Sequence, residues 1–135
     1  MTYPYCALYS TVEIFPLLGE AYSGIPHIFN LSSSNPRLME IDVDDQRAYQ
    51  LIVNEELAAS GRSWGLAGYL EKRDSLLRNL PQMVSQGRFF HLGVDVFAPA
   101  GTGLHAPLQA VVEDSGYESG KGNYGGYVVL KCSLT

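Results

Sequence analysis

His91 and Asp95, in the stretch His91-Leu92-Gly93-Val94-Asp95, are the two side chains whose types and spacing best suit shared chemistry. A neutral imidazole and a carboxylate are ordinary zinc ligands, and a catalytic zinc takes three protein ligands plus a water. Two ligands are visible here, so a third and a catalytic base have to come from elsewhere. The spacing sets a condition. In a straight strand both side chains share a face but stand about 13 Å apart, at roughly 3.3 Å per residue. That is too far for two atoms each about 2 Å from one metal. A helix would bring them together, but Gly93, Val94 and Val96 disfavour helix. The backbone must therefore bend, and Gly93 is the residue that permits it. Without a metal, the same pair reads as a structural His–Asp hydrogen bond in a strand turn.

The elements that must position this pair follow from hydrophobic patterning. Composition changes near Gly87, with mixed and partly helical patterns before it and Gly, Val and aromatic residues after it. This divides the chain into a helical and loop region, 1–87, and the first part of a β core, 88–135. Strands are expected over 89–96, 108–114 and 127–132, with a Gly-rich hairpin loop over 117–123. A helix is expected from about 44 to 60, its apolar stripe carrying Ala48, Leu51, Ile52, Glu55 and Ala59. Asp42 or Asp44 would cap its start and Gly61 its end. A shorter helix is expected over 73–80, ended by Pro81. The segment 3–28 reads as loop with one or two short strands, for instance 8–15. The fold class is α+β, with the helical and loop region packed on an incomplete antiparallel sheet. An open edge at 127–132 would invite homo-oligomers or aggregation.

Bulk properties exclude several functions. The chain has 135 residues, 46% hydrophobic and 17% charged, which is a globular composition. A formal net charge of -5, with only 9 scattered Lys and Arg, argues against nucleic acid. No apolar run approaches the roughly 18–20 residues that span a bilayer. The N-terminus lacks a basic region, and Glu13 and Pro16 interrupt the apolar stretch that follows. No signal peptide is read, which places the chain in the cytoplasm as it stands. Cys6 and Cys132 then read as two buried thiols rather than a disulfide.

After His91-x-Gly93-x-Asp95 come Ala98-Pro99-x-Gly101-Thr102, Ala106-Pro107 and a Gly-rich loop before Tyr127-Val128-Val129-Leu130. In this order the motifs resemble the lysostaphin-type (LytM-like) zinc metalloendopeptidases, over about 88–132, roughly a third of the chain. The resemblance implies His91 and Asp95 as zinc ligands in an enzyme core that cuts peptidoglycan cross-link peptides, mostly outside the cytoplasm. In that family a later H-x-H supplies the third ligand and a catalytic His. Nothing here matches it, because the remaining histidines, His27 and His105, each lack a second His two positions away. The chain thus reads as an N-terminal piece, with zinc binding weak or absent and little or no peptidase activity alone. Partners on this reading are a peptidoglycan-type peptide or a protein.

Further residues could line the cleft. Tyr69, Glu71 and Arg73 alternate, so on a strand they would share a face with a Glu–Arg pair near the cleft, or form a solvated face. His105 either completes a three-ligand site or is a surface strand residue, and His27 is a loop residue. Asp42, Asp44 and Asp45 lack the Gly and distal Glu of a calcium loop. The Gly-rich segment 116–126 lacks the ending of a phosphate loop. Two other functions were weighed: a non-catalytic β-core module that binds cell-wall peptide or a partner enzyme, and a biotinyl- or lipoyl-like carrier. The carrier reading is disfavoured because Lys121, between two glycines, is its only candidate lysine.

Overall fold

The computed structural model describes residues 13–22, 24–120 and 122–133. They divide into two compact units: 24–101, and a second made of the N-terminal residues through 22 together with the residues from 102 onward. The class is α+β, with helices and two small sheets. The expected strand at 8–15 lies largely outside the described residues, and 13–15 is irregular. No helix among the described residues is long and apolar enough to cross a membrane.

In the unit 24–101 a mixed three-stranded sheet runs in the order β1 (His27–Phe29), β2 (Gly65–Ala67), β3 (Asp95–Phe97). β1 and β2 are parallel, whereas β2 and β3 are antiparallel. The connection between the parallel strands holds α1 (Pro36–Glu40) and α2 (Gln46–Ser60). The sheet was not legible as such. His27 is in a strand rather than a loop, and of the expected strand at 89–96 only its end is regular, running on to Phe97.

Asp45, not Asp42 or Asp44, caps α2, accepting from Arg47 N at 2.9 Å and Ala48 N at 3.3 Å. Gly61 stops α2 in the left-handed conformation, φ 65°. The buried face carries Ile52 and Val53, with Tyr49 and Leu57 packed against the same core. The stripe is thus turned from the expected one, and Leu51 and Ala59 face solvent. Residues 49, 52, 53 and 57 keep the three- and four-residue steps of one helical face. The core adds Phe29, Leu31, Leu38 and Ala67, and Leu38 is wholly buried. At Gly65 a Cβ would meet Phe29 Cε2 at 2.4 Å. A glycine there lets the Phe29 ring reach Phe97, with ring centroids 4.5 Å apart.

The expected helix over 73–80 is a single turn, α3 (Asp74–Leu77), and Pro81 opens α4 (Pro81–Gln86) instead of ending a helix. Proline suits a first helical position, where no intrahelical partner awaits its missing N–H. Arg78 ties this region down by donating to the carbonyls of Leu38, within α1, at 3.0 Å and of Ile41, just past its end, at 2.6 Å.

In the other unit β4 (Ala110–Glu118) and β5 (Gly125–Cys132) form an antiparallel hairpin with a bulge between Val112 and Asp114. The two strands and the Gly-rich loop agree with the sequence reading to within two to four residues at each end. The sheet, however, is a separate two-stranded hairpin and not part of one incomplete sheet. No described hairpin residue is buried. Val111, Val112, Val128 and Tyr117 are among its exposed apolar side chains. Cys132 is an exposed free thiol, against the expectation of burial, and Cys6 lies outside the described residues.

Candidate metal centre

Two pairs of segments fix the geometry around His91 and Asp95. Residues 65–67 pair with 95–97 as β2 and β3. Further along, 70–73 runs against 89–91: Leu70 N donates to His91 O at 2.8 Å, His91 N to Glu71 O at 3.0 Å, and Arg73 N to Phe89 O at 2.8 Å. Both arms break between these pairings. One breaks at a turn at 69–70, where Leu70 takes φ 60°, and the other at a bend centred on Gly93. A bulky residue in the left-handed region is rare and strained. Here that strain lies directly opposite the bend that carries the candidate ligands.

The bend brings the two groups together. His91 Nε2 stands 3.5 Å from Asp95 Oδ1. That is long for a hydrogen bond to imidazole, whose usual range is about 2.7–3.2 Å. It matches the edge of a zinc tetrahedron: nitrogen and oxygen atoms about 2.0–2.2 Å from zinc lie about 3.3–3.5 Å apart. Gly93 leaves room for the His91 ring and does not serve an unusual backbone conformation. Its φ is outside the left-handed region, and a Cβ there would meet His91 Nε2 at 3.0 Å.

Asp95 is shared with a cation already in the chain. Arg73 Nη1 contacts Asp95 Oδ2 at 2.6 Å, and Arg73 Nε donates to Glu71 Oε2 at 3.0 Å. The other oxygen of Glu71 accepts from Leu31 N at 2.7 Å. Arg73 is buried, and its side chain and that of Glu71 are only 10% and 14% exposed. Of the two expected arrangements the Glu–Arg pair forms and the solvated face does not, because 70–73 lies against 89–91 instead of on a free strand. Counted formally, two carboxylates and one guanidinium leave a charge of -1 beside the His91 ring, which favours a cation.

Two buried nitrogens, Arg73 Nη2 and His91 Nδ1, have no hydrogen-bond partner among the described residues. Presenting the Nε2 lone pair to a cation puts the imidazole proton on Nδ1, which in zinc sites usually donates to an outer group. Tyr49 was missed by sequence reasoning. Burial, and after it the nearby Asp95 carboxylate, push its hydroxyl up to about 12, with Arg73 acting in the opposite sense. It is therefore a neutral hydrogen-bond group beside this cluster. The available signal was its place one turn before Ile52 and Val53, on the buried face of α2.

Tyr69 is in the turn at 69–70 and 61% exposed, so it does not share the face of Glu71 and Arg73. His105 belongs to the other unit and is not in a strand. Its ring lies 5.3 Å from that of Phe15, and its N–H donates to Leu17 O at 2.8 Å. Among the described residues no group of three or more His, Cys, Asp or Glu is gathered so as to hold a metal ion. The chain matches no protein-family profile, no curated protein and no solved structure at a significant level.

Proposed function

We propose that this chain is part of a zinc metalloendopeptidase-like domain of the lysostaphin type, from a family that cleaves peptide cross-links of peptidoglycan. The observation that carries the reading is the 3.5 Å separation of His91 Nε2 and Asp95 Oδ1 across the Gly93 bend. The donor set fits zinc: one imidazole nitrogen and one carboxylate oxygen at a tetrahedral edge, beside a cluster of net negative charge. A zinc ion held there would supply Lewis acidity and a water activated near neutral pH. The chain's own part is to aim the two ligands, with His91 folded over Gly93 and Asp95 fixed by β3. Two ligands bind zinc less firmly than three, so peptidase activity from this polypeptide alone is negligible.

Zinc titration by calorimetry tests the reading. One-to-one binding that is abolished by Asp95→Ala and by His91→Ala supports it, and absence of heat with the wild-type chain refutes it. A second reading is a non-catalytic β-core module that binds a cell-wall peptide or a partner enzyme. It is favoured by the exposed valines of the β4–β5 hairpin. Saturable binding of a peptidoglycan peptide by chain stripped of metal would favour the module.

A further inference from the structure

Asp95 uses its two oxygens differently. Oδ2 is taken by Arg73 Nη1 at 2.6 Å, while Oδ1 faces His91 Nε2 at 3.5 Å. Arg73 cannot swing away freely, because its Nε is held by Glu71 at 3.0 Å, and Glu71 is anchored to the backbone N–H of Leu31 at 2.7 Å. The anchor is the core itself: Leu31 is 2% exposed, and Ala67, paired with Asp95 in the sheet, is fully buried. A chain of contacts thus runs from the end of β1 through Glu71 and Arg73 to one oxygen of one candidate ligand.

We infer that Arg73, held by Glu71, is the positioning residue of this metal site: it occupies Asp95 Oδ2 and so commits Asp95 to single-oxygen ligation through Oδ1. The inference rests on the zinc reading above and adds to it the residues that set ligand geometry and affinity. Arginine suits the task because its planar fork can serve two carboxylates at once from a fixed plane. A lysine keeps the charge but, as a point donor on a flexible stem, does not fix the carboxylate plane. Groups that orient metal ligands from outside the coordination shell typically change metal affinity by roughly 10–100-fold when altered.

The test uses the full chain and Co2+ as a spectroscopic substitute for zinc, with circular dichroism to verify the fold of each variant. Arg73→Lys is expected to bind Co2+ roughly 10–100-fold more weakly. Its visible spectrum should also shift toward higher coordination, as Asp95 becomes free to chelate through both oxygens. Glu71→Gln loosens Arg73 without removing it and should shift both readouts in the same direction by less; it decides the matter if Arg73→Lys does not fold. If the wild type binds Co2+, Asp95→Ala does not, and both folded variants match the wild type in affinity and spectrum, the inference is overturned while the zinc reading stands. If the wild type itself binds no Co2+, both fall together.

Discussion

The unit 24–101 and the β4–β5 hairpin treat their apolar residues in opposite ways. In the first, α1, α2 and the three-stranded sheet close over Phe29, Leu31, Leu38, Ile52, Val53 and Ala67. In the second, strands of eight and nine residues carry exposed valines and bury none of their described side chains. Backbone pairing alone gives a strand pair its shape, but a two-stranded hairpin is only marginally stable without a covered face. The candidate ligands lie in the well-packed unit, where a buried guanidinium can be held in one place.

The sharpest break of this comparison is Leu38→Ala, which empties a fully buried site and should cost about 3 kcal/mol in urea unfolding, whereas Val128→Ala should change stability by less than about 0.5 kcal/mol. Equal effects would erase the distinction. Next is Gly65→Ala, whose Cβ would collide with the Phe29 ring and the His27 carbonyl. A loss of about 1–3 kcal/mol is expected, and thermal unfolding measures it.

The path from sequence to these elements was uneven for physical reasons. The end of α2 was legible because Gly61 is local capping chemistry, whereas its start was legible only to within two residues, since three neighbouring aspartates offer the same cap and Asp45 takes it. The hairpin was legible because valine-rich segments flank a Gly-rich loop. β1 and β2, three residues each, were not, since tertiary pairing rather than propensity makes them strands. Pro81 sent the same local signal whether it ended one helix or opened the next. At the site, the bend at Gly93 followed from ligand spacing. The burial of Glu71 and Arg73 and the approach of Tyr49 depend on segments distant in sequence, so no local pattern announced them.

Tyr49 sharpens the comparison through pH. Its folded value, about 12, lies above its ordinary 10.0, so the protonated form is favoured by the fold. The resulting stability is fully present below pH 10 and is lost as pH rises through 12, by about 3 kcal/mol. Denaturant unfolding across that range should show the decline in the wild type and a smaller one in Tyr49→Phe. The smallest effect on stability belongs to the hairpin. Replacing Val111 and Val128 together by Lys should leave unfolding within about 1 kcal/mol. It should also reduce self-association by light scattering, as expected if open strand edges and exposed valines drive it. Unchanged association would mean that other surfaces mediate it.

X-ray absorption at the zinc edge of the zinc-loaded chain bears most directly on the central claim. A nitrogen and oxygen shell near about 2.0–2.1 Å that includes imidazole, no sulfur near about 2.3 Å, and no zinc retained by His91→Ala is the expected result. Imidazole scattering that survives His91→Ala, or a sulfur neighbour from a cysteine, would mean that the ion sits elsewhere and that the Gly93 bend joins His91 and Asp95 for another purpose.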